Sequence, residues 1–483
     1  MTHVTRRDFL RSGLAASAAL ALPTSSLSAA GANDTIRLGF ISCGGRAGGL
    51  MNRFHGMDGV EIAGLCDPDE NRLQAASNRY SDANTWTDLR HLLDDDSIDA
   101  VVIAGSVHWH SLAAIWSLQA GKDVYLEKPL SHSVWEGRQL VAAVEKYGKI
   151  CQHGTQQRSD AMQAQIRKFL HEDQALGPIV SARVNRYGIR PPIGKRDTPL
   201  EIPDNIHYDL WLGPAQDEPI YRSNLQYDWH WDFNTGTGEM GNWGVHVLDD
   251  MRMNVLLDTP GLPRQICGGG ARVVFDDAGN TPNVHFVYFH SGDIPVVIGL
   301  SNLPAEPGTR DRTPCPGPAS GYIAYCEGGR LEGQRGRAAA FDQDGKEIRR
   351  FSGGGGDGPH QQNFIEALRA RDPSLLKAPL DIGNDTTGWC HVANIMARAG
   401  QPYSHAAAKQ VDDGAGLWHG LLDEMETLLT AHGIPMEGDS IRFTSLLTID
   451  QETQTFVGEG AEAANGFLKR EYRAPYVVPE IVS

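Results

Sequence analysis

The sequence lacks a hydrophobic run long enough to cross a membrane, and it has few basic residues for its size. The one long apolar stretch, residues 14–22, falls well short of the ~20 residues that a membrane-spanning helix needs. Lysine and arginine number 43 against 60 aspartates and glutamates, which gives a formal charge of -17. Such a field repels phosphate backbones and anionic headgroups. We therefore expect no transmembrane segment in the mature chain and no nucleic-acid partner.

Cysteine is also scarce, and its spacing follows no metal-binding or disulfide pattern. The number of cysteines, seven, is odd, and no two of them form a C-x-x-C pair. Zinc knuckles and disulfide frameworks both need regular spacing, so the sequence predicts no metal site and at least one unpaired cysteine. The seven are Cys43, Cys66, Cys151, Cys267, Cys315, Cys326 and Cys390.

The beginning of the chain has the features of an export signal. Arg6 and Arg7 precede the apolar stretch, and small residues at 28–30 follow it in the manner of a cleavage site. The arginine pair resembles the twin-arginine signal, although an ordinary secretory signal with two unrelated arginines is the alternative. We expect residues 1–30 to be a twin-arginine signal peptide, with the export machinery as a partner and a periplasmic mature protein that carries a cofactor.

Residues 35–155 alternate short apolar runs with helical periodicity. This spacing is typical of a parallel sheet with helices on both faces. The sequence therefore predicts an α/β, doubly wound domain over these residues. Its strand candidates are residues 36–41, 60–65, 100–104, 124–126 and 149–152, and its helix candidates include residues 71–80 and 111–120.

From residue 156 to residue 483 the strands become longer and tight turns join them. This pattern predicts an α+β domain with an open, mostly antiparallel sheet that has helices on one face. Strand candidates are residues 180–187, 271–275, 283–290 and 295–302, with a hairpin at Asp344-Gly345, helices at 360–369 and 414–430, and a flexible loop at 353–356.

A glycine-rich turn containing Gly44 and Gly45 follows the first predicted strand. A G-x-G-x-x-G turn brings backbone amides to a pyrophosphate at a helix N-terminus, and here Ser42 and Ala47 stand at the first and third glycine positions. Asp67 follows the second strand, 23 residues after Gly44, where a carboxylate accepts hydrogen bonds from ribose hydroxyls. Capping the next helix is the alternative role of Asp67. Together, the glycine-rich turn and the Asp67 carboxylate predict that this domain binds NAD.

Two later strands end in polar residues that would meet in the same crevice, and the second of them ends at Glu127-Lys128-Pro129. At this point the chain resembles the glucose-fructose oxidoreductase and inositol dehydrogenase family (Gfo/Idh/MocA), in which Glu-Lys-Pro closes this strand and the lysine lies beside the nicotinamide and the substrate hydroxyl. The resemblance implies a Rossmann domain and a catalytic Lys128. The cofactor-binding residues we expect are Ser42, Gly44, Gly45, Arg46, Asp67, Gly105, Ser106, His110, Glu127 and Lys128. Arg46 leaves NADP open, because a guanidinium can bind a 2′-phosphate.

The second element of the resemblance lies within residues 238–250. At 100° per residue, Asn242, His246 and Asp249 fall within roughly 60° of one another on a helix. Better-known relatives carry Asp-x-x-x-His here, which implies that His246 is the general base and that Asn242 and Asp249 contact the substrate. Asn242 keeps a hydrogen-bonding group where the family has a charged one. A buried core histidine is the alternative for His246.

Residues 227–233 mix aromatic and hydrogen-bonding side chains just before this helix. Trp231, with His230 or Asp232, predicts a platform for a sugar ring, and a role as a core anchor is its alternative. His153 lies in the segment 152–156, which also resembles the family, and we expect it to orient the substrate together with Asn242.

These features predict an NAD(P)-dependent oxidoreductase that moves a hydride to or from a secondary alcohol or ketone of a sugar, glycoside or cyclitol. Two alternatives are a redox-neutral glycosidase, lyase or epimerase acting through a keto sugar, and a non-catalytic sugar-binding homologue. Lys128 argues against the family's glycosidases, which typically lack this lysine. We expect a tightly held dinucleotide and a homo-oligomer formed through the C-terminal sheet. The sequence names neither the sugar nor the carbon that reacts.

Overall fold

The computed structural model describes residues 35–292 and 294–482, and its first layer is a six-stranded parallel sheet. The strands are β1 (Ile36–Ile41), β2 (Val60–Cys66), β3 (Asn84–Trp86), β4 (Ala100–Ile103), β5 (Asp123–Leu126) and β6 (Cys151–His153). Their order is β3-β2-β1-β4-β5-β6, and every neighbouring pair is parallel. The predicted parallel sheet is confirmed. Its order reverses between β1 and β4, where such sheets form a crevice.

Helices cover both faces of this sheet. They are α1 (Arg46–His55), α2 (Glu70–Ser77), α3 (Leu89–Leu93), α4 (Val107–Gln119) and α5 (Val134–Tyr147). Successive residues of β4 alternate between two cores, because strand side chains point to opposite faces. Val101 and Ile103 pack with α4, whereas Ala100 and Val102 pack with α1. The short edge strand β3 was not predicted, because most of it is exposed and it has no apolar run.

The second layer is an eleven-stranded sheet. Its strands are β7 (Ile179–Tyr187), β8 (Gln265–Ala271), β9 (Val284–Ser291), β10 (Ile294–Ser301), β11 (Ser320–Cys326), β12 (Gly329–Gln334), β13 (Arg337–Asp342), β14 (Glu347–Ser352), β15 (Gln401–Tyr403), β16 (Gly438–Ile449) and β17 (Phe456–Val457). The pairs are antiparallel except for β7 with β10. The mostly antiparallel sheet and the hairpin at Asp344-Gly345 are confirmed.

The helices of this part are α6 (Ala161–Arg167), α7 (Tyr208–Leu212), α8 (Val245–Val255), α9 (Pro359–Ala370), α10 (Leu380–Ala399), α11 (His405–Ala408), α12 (Leu417–Ala431) and α13 (Ala461–Asn465). The expectation that helices lie on one face is wrong. Helices α8 and α10 pack on one face, and α12 buries Trp418, Leu421 and Leu422 against Phe286 and Tyr288 on the other. Helices therefore cover parts of both faces of the sheet through which we expected a homo-oligomer to form.

Three of the differences from the sequence prediction have an identifiable cause. The strand expected at 271–275 is β8, which ends at Ala271, because its glycine run 268–270 hid the strand pattern. Helix α10 was missed because it is buried on nearly every side and therefore shows no amphipathic period. Strand β16 was missed because many of its residues are exposed.

Two segments that follow β14 along the chain pack against the first sheet. Phe364 and Leu368 of α9 enter the core beneath β4, and Tyr476 and Val478 enter the core on the opposite face. None of the helices within the described ranges has the length and hydropathy needed to cross a bilayer. All seven cysteines lie in those ranges and are free thiols.

Candidate active site

A cleft of about 370 Å³ lies at the carboxyl ends of β1, β2, β4 and β5. Eleven of the predicted site residues line it, and they come from both layers of the molecule. They are Ser42, Gly44, Gly45, Arg46, Asp67, Gly105, Ser106, Glu127, Lys128, Asn242 and His246. The structure therefore brings together the glycine turn, the ribose candidate and the catalytic candidates.

The glycine turn leads directly into α1. Ser42 and Gly45 both have positive φ, 82° and 48°, and no side chain caps the N-terminus of the helix. The Ala47 amide donates to the Gly44 oxygen at 3.0 Å, and the dipole of α1 favours an anion beside this helix N-terminus. A Cβ built on Gly45 meets no atom within 4 Å, so this side of the turn is open. The turn fits a dinucleotide pyrophosphate.

Asp67 sits at the end of β2 and is only 4% exposed. Its Oδ2 accepts a hydrogen bond from the Cys43 amide at 2.8 Å, and its Oδ1 accepts one from the Asp69 amide at 2.9 Å. Burial raises the pKa of Asp67 above its ordinary value. The alternative role, a helix cap, belongs to Asp69, whose side chain caps α2. Asp67 is thus held at the wall of the cleft where a ribose would lie.

The positions of two arginines at this end of the cleft differ from the sequence prediction. Arg46 turns away from Asp67, because its Nε donates to Glu127 at 2.8 Å and its Nη2 to Asp357 at 2.9 Å. The guanidinium near Asp67 is instead that of Arg72, which lines the cleft and lies so close to Gly44 that a Cβ there would collide with it. Arg72 was not predicted from the sequence, because it lies within an ordinary helical stretch.

Lys128 reaches from the end of β5 across to the second layer. Its Nζ donates to the backbone oxygen of Asn242 at 2.8 Å and to Asn242 Oδ1 at 3.0 Å. Burial lowers the pKa of Lys128 to about 8, even though the charges of Glu127 and Glu239 act in the opposite direction. Two of the three ammonium protons are occupied, so one is free to donate into the cleft.

Asn242 connects Lys128 to a buried carboxylate that the sequence reasoning missed. Its Nδ2 donates to Glu239 Oε2 at 3.1 Å, and Glu239 is fully buried. Arg186 and Arg190 hold the other side of this carboxylate, with Nη2 to Oε1 distances of 2.6 and 3.1 Å. The negative charge that Asn242 lacks is therefore present one helical turn earlier and is neutralised by two arginines.

His246 lies on the same wall and is 9% exposed. The edge of its ring meets Trp243, with centroids 5.6 Å apart, and within the described ranges it has no hydrogen-bond partner. Burial, and then the charge of Lys128, lower the pKa of His246 well below its ordinary value. The imidazole is neutral at physiological pH and faces the cleft beside Lys128.

Asp249 does not join this wall, and the predicted polar trio is wrong. Its carboxylate accepts two hydrogen bonds from Arg158, both at 2.8 Å, and a third from Thr386 at 3.0 Å. A π-helical turn at Met240–Gly244 precedes α8, so the 100° spacing assumed for a continuous α-helix does not apply across it. The residue that accompanies Asn242 and His246 at the cleft is Trp243.

His153, His110 and Trp231 are also placed behind the cleft wall rather than on it. His153 is fully buried. The ring nitrogens of His110 lie 2.7 Å from the Pro129 oxygen and 3.2 Å from the Gly105 oxygen, so His110 joins two strand ends. Trp231 is only 5% exposed and packs as a core residue, the alternative noted for it.

The aromatic lining comes from the neighbours of Trp231. Tyr227, Trp229 and His230 line the cleft, and the rings of Trp229 and His230 stack at 3.6 Å with an interplanar angle of 17°. Burial lowers the pKa of His230 to about 3. Trp243 adds a second indole beside His246. This end of the cleft thus combines aromatic faces with hydrogen-bonding groups.

A strap, which we define as residues 200–226, runs over the ribose end of the cleft. Asn205 Nδ2 and Gln226 Nε2 donate to the two oxygens of Asp69, at 2.8 and 3.0 Å. The end of the chain holds the strap in turn, because Arg473 Nη1 and Tyr476 Oη donate to the carboxylate of Asp209 at 2.6 and 2.7 Å. The strap therefore connects both layers with the C-terminal tail.

Comparisons with known families agree with this architecture. Residues 36–155 match the NAD-binding Rossmann fold of the Gfo/Idh/MocA oxidoreductase family, and residues 192–288 match the C-terminal α/β domain of the same family. The chain belongs to the Gfo/Idh/MocA family. Residues 3–23 match a twin-arginine translocation signal, so this family member carries such a signal, in a segment outside the described residues.

Relatives with a curated description share only part of their length with this Gfo/Idh/MocA chain. A glycosyl hydrolase family 109 protein of Shewanella pealeana is 34% identical over 127 residues, which are 24% of this chain and 28% of that protein. A protein of the same description from Shewanella baltica is 30% identical over 179 residues, which are 31% of this chain and 39% of that protein.

A solved structure extends the likeness over most of the fold. The WlbA dehydrogenase from Bordetella pertussis, in complex with NADH and UDP-GlcNAcA, superposes with a TM-score of 0.54 at 19% identity. The superposition covers 73% of this chain and 93% of that one. At this identity the likeness shows the shared fold.

Proposed function

We propose that this protein is an NAD-dependent oxidoreductase that acts on a secondary alcohol or ketone of a sugar, glycoside or cyclitol. The observation that carries the proposal is the arrangement of Lys128 and His246 on one cleft wall, in the cleft that also contains the glycine turn and Asp67. A bound nicotinamide dinucleotide supplies hydride chemistry. Its binding site comprises the glycine turn, Asp67 and the strand-end residues Gly105 and Ser106.

The side chains of the cleft provide proton transfer and charge stabilisation. In the oxidising direction the neutral His246 accepts the proton of the substrate hydroxyl, since its imidazole has no other partner within the described ranges. Lys128 donates a hydrogen bond from its remaining N–H to the same oxygen and stabilises the developing alkoxide. Asn242 fixes the ammonium group through two oxygens and keeps its third proton directed into the cleft.

The aromatic end of the cleft supports a carbohydrate substrate. A sugar ring has apolar C–H faces and polar edges, and Trp229 and Trp243 provide faces of matching character beside His246. Trp231 itself is buried in the core, so the platform is assigned to its neighbours instead.

The strap supports tight retention of the dinucleotide in a periplasmic enzyme. Leu210, Trp211 and Gln226 of the strap line the cleft, and the strap is tied down at Asp69 and at Asp209. Export through the twin-arginine pathway delivers a folded protein, and we propose that the dinucleotide travels with it. A retained dinucleotide that has taken up a hydride would need a second substrate, a carbonyl compound that accepts the hydride, so we expect ping-pong kinetics.

A redox-neutral reaction is the second candidate, and the relatives described as glycosyl hydrolase family 109 proteins favour it. In such a reaction the cofactor ends each turnover in its starting state. The two candidates share the cleft and differ in their net products, so NADH absorbance separates them from each other. A non-catalytic sugar-binding homologue would give neither product.

The test is a screen of sugars, glycosides and cyclitols against the purified protein, with NADH absorbance and released reducing sugar as the two readouts. His246→Ala should lower turnover by ~10²–10⁴-fold and leave dinucleotide binding intact, since a positioned general base contributes this much. The control is His91→Ala, because His91 is an exposed histidine of α3 outside the cleft. Near-normal turnover in His246→Ala would remove His246 from the mechanism.

A further inference from the structure

The substrate end of the cleft holds one charged group that the proposed reaction leaves unused, Arg335. It occupies the turn between β12 and β13 and lines the cleft together with Lys128 and His246. Its Nη2 donates to Gln156 Oε1 at 3.1 Å, and its Cζ lies 5.8 Å from the centroid of the Trp243 ring. The guanidinium is therefore on the aromatic wall beside the catalytic pair.

The other two arginines that line the cleft are already paired with carboxylates. Arg46 contacts Glu127 at 2.8 Å, and Arg72 contacts Asp69 at 3.5 Å. Across the described ranges Arg335 forms no ion pair, and its hydrogen-bond partner Gln156 is a neutral amide. Arg335 thus contributes to the cleft a positive charge that no salt bridge neutralises within the described ranges, in a protein whose net charge is -17.

The turn that carries Arg335 is supported by the loop 353–356, which the sequence predicted to be flexible. The Gly353 amide donates to the Gly336 oxygen at 2.9 Å, and the Gly355 amide donates to Asp160 Oδ2 at 2.6 Å. A Cβ on Gly356 would collide with the backbone oxygen of Gln156. The glycines therefore serve close packing, and one loop supports both Arg335 and its partner Gln156.

We propose that Arg335 binds an anionic group of the substrate, so that the cleft takes a sugar that carries a carboxylate or a phosphate. A guanidinium presents a planar fork of N–H groups that matches either oxyanion in two hydrogen bonds. Trp243 lies beside it and would contact the ring of the same sugar. This assignment rests on the proposed function and narrows it to the class of sugar acids and sugar phosphates.

The test compares matched substrates that differ in one charged group. Glucuronate and glucose, galacturonate and galactose, and glucose 6-phosphate are assayed by NADH absorbance with the full holoenzyme and with Arg335→Gln. We expect an anionic member to be preferred and its kcat/KM to fall by about 10- to 100-fold in Arg335→Gln, the range for a hydrogen bond to a charged group. The neutral member should change by less than about twofold, because it makes no such bond.

Arg337→Gln is the matched control, because Arg337 is exposed, bonds to Gln334 and lies outside the cleft. The carboxylate and phosphate arms identify which anion is bound. Preference for neutral sugars, or an equal loss on both members of a pair, would overturn the assignment.

Failure of the proposed oxidation would be recognised separately, as the absence of NADH formation with every sugar. Calorimetric titration of glucuronate and glucose 6-phosphate into the NAD-loaded protein then tests Arg335 alone. Binding that weakens in Arg335→Gln but not in Arg337→Gln supports the anion site. Absence of binding, or binding that Arg335→Gln leaves unchanged, overturns it.

Discussion

At the residue scale, Asn242 determines the surroundings of Lys128, the lysine proposed to be catalytic. Asn242 gives Lys128 two oxygens but no charge, and the nearest carboxylates are Glu127 and the fully buried Glu239. Glu239 also pairs with two arginines, and the effect of its charge on the pKa of Lys128 is smaller than that of burial. The lysine is therefore protonated at neutral pH but close to losing its proton.

This balance predicts the pH dependence of the oxidation. The pKa of Lys128 is lowered to about 8 by burial, so the proton that stabilises the alkoxide is present below that pH and lost above it. We expect kcat/KM to fall as the pH rises through about 8. Lys128→Arg keeps its charge and should lack this fall, whatever its absolute rate, because arginine stays protonated. A wild-type profile that keeps rising beyond this pH would contradict the role of Lys128.

Asp67 predicts the choice of dinucleotide. A carboxylate at this position accepts hydrogen bonds from ribose hydroxyls and repels a 2′-phosphate, so NAD should bind more tightly than NADP. Asp67→Ala should erode this preference in titrations with both dinucleotides. Arg72→Gln separates the contribution of Arg72 from that of Asp67, because the Arg72 guanidinium is the nearby group able to bind a 2′-phosphate. Tighter binding of NADP by the wild type would refute the assignment of Asp67.

Among the site residues, sequence reasoning succeeded where a motif fixes the position along a strand end. Ser42, Asp67 and Lys128 follow buried strands, and parallel strands end at one edge, so their meeting in one cleft follows from the pattern. Glu239 and Arg335 could not be found in this way. Their proximity to Lys128 and His246 depends on how the second sheet packs against the first, which no local pattern encodes.

Helix α8 illustrates the same limit at the scale of an element. The sequence identified a helix with Asn242 and His246 toward the substrate, and both line the cleft. It placed Asp249 with them because residues three apart share a face of a helix, whereas Arg158 holds the Asp249 carboxylate away from the cleft. The π-helical turn at Met240–Gly244 and the ion pair with Arg158 are tertiary features, and they assign Asp249 to the anchoring of α8.

Asp249 should therefore act on stability rather than on substrate binding. Both Asp249 and Arg158 are nearly fully buried, and removal of one partner of such a pair costs about 3–5 kcal/mol. We expect Asp249→Asn to lower the free energy of unfolding by a sizeable part of this amount, since Asp258 still pairs with Arg158. The KM for the sugar should stay unchanged. Denaturant unfolding and kinetics measure the two quantities, and a raised KM with normal stability would contradict this role.

At the scale of the whole molecule, segments that are distant in the sequence cover one end of the cleft. The strap spans the ribose end, and the C-terminal tail holds the strap at Asp209 through Arg473 and Tyr476. The periodicity of the sequence predicted both sheets, but it did not predict this closure, because the strap has little regular structure. The expected homo-oligomer stays a prediction, and α12 covers part of the sheet through which we expected it to form.

The proposed retention of the dinucleotide depends on the export signal, the cleft and the strap together, and its measurement tests the proposal most directly. The full-length protein is purified, dialysed extensively and denatured, and the released dinucleotide is quantified. We predict near-stoichiometric recovery of NAD or NADH from the wild type and a lower recovery from Asp209→Ala, which loosens the strap. A wild-type protein that releases no dinucleotide after dialysis, whether or not it binds NAD added later, would contradict the account.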